Sequence, residues 1–183
     1  MAKVIFVGAG PGDPELLTLK AHRLLTTARC CIYAGSLIAP EVIALLPEDC
    51  TKYDSAALDL NQTHTIIREH TAEGIDVIRL HTGDPAIYGA IAEQIRLLDR
   101  DGIAYECVPG ISSFQAATAA LKVELTAPEV SQTIILSRVA GRTPVPAEQE
   151  LEQLAATRAT LCLFLSIHKI DEICRRLIPF YGE

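Results

Sequence analysis

The chain has 183 residues, 49% of them hydrophobic, and its 16 Lys plus Arg against 23 Asp plus Glu give a net charge of −7. That is enough apolar content for one large or two small domains, and the acidic balance speaks against non-specific nucleic-acid binding because phosphates would be repelled. Six cysteines, Cys30, Cys31, Cys50, Cys107, Cys162 and Cys174, show no C-x-x-C or metal-ligand spacing, so small buried hydrophobes in a reducing compartment are expected, with no metal.

Residues 3–7 form a compact apolar strand leading into Gly8-Ala9-Gly10-Pro11-Gly12-Asp13. No h-region or membrane-length apolar run is present, so a soluble cytoplasmic protein without membrane contact is expected. The alternating glycines allow close backbone approach. Yet Asp13 stands where a dinucleotide-binding motif has its third glycine, and Pro11 removes a donor. Asp13 instead reads as an N-cap, with Pro14 and Glu15 in the first turn of a helix that buries Leu17, Ala21, Leu24, Leu25 and Ala28. A strand over 30–34 closes at Gly35-Ser36. A short helix over 40–46, a short strand over 50–53 and a weakly amphipathic helix over 59–73 follow, with Leu60, Ile66 and Ile67 inward and His64 and His70 at polar positions.

A largely apolar strand over 76–81 then runs into the stretch LHTGDPAIYG at 80–89, where the pattern breaks most sharply. Gly83 accepts positive φ or a close ligand, Asp84 supplies a carboxylate, and Pro85 fixes φ. Ile87, Ile91, Ile95 and Leu98 recur at helical spacing, so a helix over 87–101 is expected. A Gly-Asp-Pro turn at the end of a buried strand suits a small-ligand site in an open α/β sheet; equally, Asp84 is an N-cap and Gly83 a turn former.

Residues 103–108 form another strand, ending in Pro109-Gly110-Ile111-Ser112-Ser113 before a helix with Phe114, Ala117, Thr118 and Leu121 on one face. Ser112 serves either as its cap or as a crevice hydroxyl. Residues 122–131 read as a linker between an N-terminal domain (1–121) and a C-terminal domain (132–183). Strands over 132–138 and 160–165, a helix over 148–156 and a last helix with Ile170, Ile173, Cys174 and Leu177 inward fill the second domain. Alternating strands and helices imply a mainly parallel sheet flanked by helices on both faces. The loops at 8–13, 83–89 and 110–113 then share one edge, in a cleft suited to amine and hydroxyl groups. From the residues alone the reading stops at a small-molecule transferase or binding protein of α/β class, with no identifiable catalytic residue.

The ordered set Gly8-Ala9-Gly10-Pro11-Gly12-Asp13, Tyr33-Ala34-Gly35-Ser36-Leu37, His81-Thr82-Gly83-Asp84-Pro85 with Tyr88-Gly89, and Val108-Pro109-Gly110-Ile111-Ser112-Ser113-Phe114 resembles the tetrapyrrole (corrin/porphyrin) methylase family across essentially the whole chain. Tyr53-Asp54-Ser55-Ala56, Pro128-Glu129-Val130-Ser131-Gln132-Thr133 and Gly141-Arg142-Thr143-Pro144 resemble its precorrin-4 C11-methyltransferase branch in cobalamin biosynthesis. The resemblance implies a two-domain tetrapyrrole methylase fold with S-adenosyl-L-methionine in the cleft between the domains. Family members are longer, so the second α/β domain is expected to be incomplete, leaving a shortened, non-catalytic chain as an alternative. By resemblance Pro11, Thr82, Gly83, Asp84, Ile87, Ser112, Ser113 and Leu165 contact the cofactor, while plain core packing also accounts for Ile87 and Leu165. The implied substrate is precorrin-4 or cobalt-precorrin-4. Arg138 and Arg142 are its candidate carboxylate clamps, or else solvated loop arginines, and a homodimer is implied. Rival readings are a methylase of the same fold acting at another macrocycle carbon or on ribosomal RNA, and a nucleotide-dependent oxidoreductase, which Asp13 disfavours.

Overall fold

Side-chain alternation along the first strand sets up both faces of the sheet. In the computed structural model, which describes residues 1–141 and 143–182, with Ser36 by its backbone alone, β1 (Lys3–Gly8) turns Ile5 and Val7 to one layer and Val4 and Phe6 to the other. Together with β2 (Cys30–Tyr33), β3 (Thr51–Asp54), β4 (Val77–His81) and β5 (Ala104–Val108), it makes an all-parallel sheet of order β3-β2-β4-β1-β5. Every residue of β4 is buried, as befits a central parallel strand covered on both faces.

Helices α1 (Leu19–Thr26) and α2 (Pro40–Ile43) bring Ala21, Leu25 and Val42 against the Ile5 and Val7 layer. Helices α3 (Leu60–Ala72) and α4 (Ile91–Asp101) bring Ile67 and Leu98 against Val4 and Phe6. Each fully buried Leu, Ile or Val among them contributes on the order of 2 kcal/mol. The chain leaves β1 for β2 by crossing β4, and leaves β4 for β5 by crossing β1. Right-handed crossovers in opposite directions must use opposite faces, which is why α1 and α4 lie in different layers. The chain therefore leaves the neighbouring ends of β1 and β4 toward opposite faces of the sheet.

The chain divides into two compact units, Met1–Ala116 and Ala117–Glu183, with the division inside α5 (Ser113–Leu121). In the second unit β6 (Ile134–Arg138) and β7 (Thr160–Phe164) pair in parallel. Helix α6 (Leu151–Ala155) buries Leu151 and Ala155, and α7 (Ile170–Tyr181) buries Ile173. Arg176 of α7 forks onto Glu152 of α6 at 2.6 and 2.8 Å, and this pairing pulls the Glu152 carboxyl down to about 2.

Several boundaries differ from expectation for identifiable reasons. Asp13 caps only a 3-10 turn, Pro14–Leu16, accepting from Glu15 N–H. The true helix restarts at Leu19 because the Thr18 hydroxyl accepts from Ala21 N–H at 3.1 Å. Helix α4 begins at Ile91, not at 87, because Tyr88 and Ala90 have positive φ. His64, expected at a polar position, is 6% exposed and bonds Asp101 at 2.8 Å. Leu121 is 70% exposed and Cys174 is exposed, so the inward faces drawn for those two helices are narrower than the spacing suggested. Cys30, Cys31 and Cys50 are buried, Cys107 and Cys174 are not, and all six cysteines are free.

Candidate functional site

The loops after β4, β1 and β5 emerge side by side, since these strands are consecutive in the sheet. Backbone bonds extend the β1 and β4 pairing past the sheet: Ala9 N–H donates to His81 O at 2.7 Å, and Gly10 and Gly83 exchange bonds at 2.8 and 3.2 Å. Both glycines have φ above +60°, a conformation that costs other residues roughly 1–2 kcal/mol. The third loop is fastened by a side chain. Asp84 accepts from Ala86 N–H at 2.7 Å through one oxygen and from Gly110 N–H at 3.0 Å through the other.

The junction has no room for side chains at two of its glycines. A Cβ on Gly8 would lie 2.6 Å from Gly110 Cα and from Gly83 O, and a Cβ on Gly110 would lie 2.1 Å from Gly83 O. The sequence left the glycines of 8–12 open between close approach to backbone and to ligand, and Gly83 between positive φ and a close ligand. At Gly8 and Gly110 the close approach is of one loop to another, and Gly83 takes the positive φ.

Pro11, Thr82, Gly83, Asp84, Ile87, Ser112 and Ser113 all lie on these three loops or at the first residue of α5, so the structure brings them to one edge. Thr82 and Ser113 are exposed, Pro11 and Ile87 half-buried. Ser112 is 3% exposed; its N–H donates to Gln115 Oε1 at 2.9 Å, the return half of a capping box, which supports the capping position. Asp84 caps the turn at Ala86 rather than α4, whose N-cap is Ala90 with no side-chain bond.

In the second unit Leu165 follows β7 with φ +56° and is 70% exposed. Arg138 closes β6 and donates to Thr143 O at 2.9 Å and Pro144 O at 2.8 Å, so its guanidinium braces its own loop. Arg142 lies outside the described residues.

Of three buried polar residues next to the loops, Arg79 and Gln94 were not singled out in the sequence, and His81 entered only as part of the motif at 81–85. Arg79 (8% exposed), His81 (6%) and Gln94 (7%) lie within an otherwise apolar layer. His81 rests on Phe6, ring centroids 5.9 Å apart, and its Nε2 is buried without a partner. Burial, helped by the Arg79 charge, lowers its pKa to about 3, so the imidazole is neutral. Arg and His inside the run Val77-Ile78-Arg79-Leu80-His81 were the available signal.

Groups of three or more His, Cys, Asp or Glu able to hold a metal are absent among the described residues. Glycine turns, exposed hydroxyls and backbone N–H and C=O at a sheet switch point suit an amino-acid-bearing organic ligand better than a polyphosphate. The sequence profile of the Tetrapyrrole (Corrin/Porphyrin) Methylases matches residues 3–183. The chain belongs to the tetrapyrrole methylase family.

Among relatives, the cobalt-precorrin-4 C(11)-methyltransferase of Methanocaldococcus jannaschii is 48% identical over 176 residues, which is 96% of this chain and 68% of the relative. The precorrin-4 C(11)-methyltransferase of Rhodococcus erythropolis is 44% identical over 98% of this chain and 73% of its own length. A solved cobalt precorrin-4 methyltransferase superposes with a TM-score of 0.93 at 42% identity, covering 97% of this chain and 74% of that one. Uroporphyrin-III C-methyl transferase from Thermus thermophilus, solved with S-adenosylhomocysteine, gives 0.79 at 30% identity, covering all of this chain and 74% of that one. The α/β architecture with a parallel sheet is that of these methylases.

Proposed function

We propose that this chain is an S-adenosyl-L-methionine-dependent methyltransferase acting at C11 of precorrin-4 or cobalt-precorrin-4 in cobalamin biosynthesis. The observation that carries it is 48% identity with a cobalt-precorrin-4 C(11)-methyltransferase over 96% of the chain. Identity falls to about 30% toward the uroporphyrin-III enzyme on the same fold, which favours precorrin-4 over that macrocycle.

The glycine-lined edge formed by Gly10, Gly83 and Gly110 fits the cofactor's amino-acid end. Pro11, Thr82, Gly83, Asp84, Ile87, Ser112 and Ser113 would hold it. S-adenosyl-L-methionine supplies a sulfonium methyl that is already a good electrophile. What the protein adds is orientation of a nucleophilic carbon, worth several kcal/mol of barrier, and no strong base is obligatory. The residues agree with that division of labour. Asp84 has one N–H on each carboxylate oxygen, so it fastens loops rather than accepting a proton. His81 is held neutral by burial and is unsuited to act as an acid.

Arg138 and Arg142 are assigned to the macrocycle's carboxylates. Arg138 retains donors beyond the two it gives to Thr143 and Pro144. A homodimer in the cytoplasm is part of the proposal; no helix among the described residues is long and apolar enough to cross a membrane. Calorimetric titration with S-adenosylhomocysteine, followed by mass analysis of precorrin-4 and cobalt-precorrin-4 after incubation with S-adenosyl-L-methionine, tests the assignment. Saturable binding and the gain of one methyl group are expected; no binding by the folded chain overturns it.

A further inference from the structure

Arg79 sits in the middle of β4 with no carboxylate partner among the described residues. Its Nε donates to Gln94 Oε1 at 3.0 Å and its Nη1 to Ile32 O at 3.2 Å. Its register partners on the neighbouring strands, Phe6 and Ile32, belong to the apolar layer that also holds Val4, Ile67 and Leu98. A guanidinium removed from water and given two neutral acceptors is an expensive arrangement. The residue beside it makes the choice more telling. A glutamate at position 94 would fill nearly the same volume and pair with the charge directly, and charge-assisted pairs are the stronger kind.

What the amide keeps, and a carboxylate gives up, is a donor. Gln94 Nε2 donates to Ala90 O at 3.2 Å. Because Arg79 occupies Oε1, the amide has only one orientation, with its N–H₂ end aimed at Ala90. Ala90 is the N-cap of α4, has φ +51°, and receives no side-chain cap of its own. Tyr88 has φ +55°, and between them Gly89 packs so closely that a Cβ would lie 2.1 Å from Pro85 O. The segment that carries Asp84 and Ile87 thus ends in two non-glycine residues of unfavourable backbone conformation, which persist only where neighbours hold them.

We propose that Gln94, held in orientation by Arg79, is a positioning residue: it fixes Ala90 and the turn at 88–90, and so sets the loop carrying Thr82, Gly83, Asp84 and Ile87. Its bearing on methyl-donor affinity rests on the function proposed above; its effect on the loop does not. The chain of bonds runs from Ile32 of β2 through Arg79 and Gln94 to Ala90, tying the loop's far end to the strand from which the loop starts. Gly10 and Gly110 fasten its near end.

The test is Gln94→Glu, which supplies Arg79 with a charged partner while removing the donor to Ala90. A purely structural role for Gln94 predicts a variant at least as stable as the parent and unchanged in the loop. Positioning predicts a melting temperature equal to or above the parent's, with amide hydrogen exchange at least tenfold faster in peptides covering 84–90 and unchanged in β1 and β5. S-adenosylhomocysteine affinity should fall at least fivefold. Gln94→Met, which removes donor and acceptor together, should also speed exchange at 84–90. Exchange at 84–90 equal to the parent's in Gln94→Glu overturns the proposal. A parent chain that fails to bind S-adenosylhomocysteine defeats the functional assignment instead, and the exchange result still decides the role of Gln94.

Discussion

Gly83 donates to Gly10 O at 2.8 Å and accepts from Gly10 N–H at 3.2 Å, so the loops after β4 and β1 are paired just where the chain sends them to opposite faces of the sheet. The pairing depends on backbone at two positions with φ near +60°, while the neighbouring Gly110 depends on space. These requirements separate experimentally. A Cβ on Gly83 meets only ordinary contacts, Ser112 Cα at 3.6 Å, so Gly83→Ala should cost about 1–2 kcal/mol, from backbone conformation. Gly110→Ala places a Cβ against Gly83 O and should cost roughly 3 kcal/mol or more, as steric displacement at a packed site does. Urea denaturation of both variants checks the order.

Asp84 is expected to tolerate neither loss of charge nor loss of size. Both of its oxygens receive backbone N–H groups, so Asp84→Asn sets an amide N–H₂ against one of those donors, while Asp84→Ala leaves both without the acceptor. Each bond of this kind is worth about 1.5–3 kcal/mol. Asparagine should therefore rescue little: both variants should lose at least tenfold in S-adenosylhomocysteine affinity by calorimetry. An asparagine variant that binds like the parent would show that the carboxylate is not the fastening.

Helix starts give a check confined to stability. Thr18 caps α1, with Ala21 and Leu25 buried behind it, whereas Asp13 caps a three-residue turn that buries nothing. Thr18→Ala should lower stability by about 1 kcal/mol, and Asp13→Ala by less, in the same urea assay.

The glycine spacing made the three loops legible, because few other reasons put Gly, Pro and Asp at successive strand ends. The parallel sheet was legible from apolar runs such as Val77 to Leu80 alternating with amphipathic helices. Asp84 was legible as a carboxylate at the site, but its partner Gly110 was not, since that contact spans 26 residues and depends on β1 standing between β4 and β5. The late start of α4 was hidden too. Ile87 keeps the helical spacing of Ile91 and Ile95, yet the close packing of Gly89 on Pro85 overrides periodicity. Gln94 reads in sequence as one more polar helix position; only the fold places it against Arg79.

His81 should give the protein an acid sensitivity that begins above the carboxylate range. In the folded chain its pKa is lowered to about 3 by burial and by Arg79, against the usual 6.5. The unfolded chain therefore binds the extra proton between those values, so the stability is fully present above about pH 6.5 and is lost as the pH falls toward 3. Glu106 is held low by Lys20 and Lys3, and Asp101 by its hydrogen bonds to Arg100 and His64. Their stability is present above their unfolded pKa values near 4 and is lost only below them. Those carboxylates stay ionised across the interval from pH 7 to pH 5, and a single proton with the two His81 pKa values predicts that this histidine contributes a fall of about 2 kcal/mol there. Urea unfolding at the two pH values should show that fall in the parent. In His81→Asn most of it should vanish, whatever the variant's stability at pH 7, and an undiminished fall would mean that the histidine is not the group titrating.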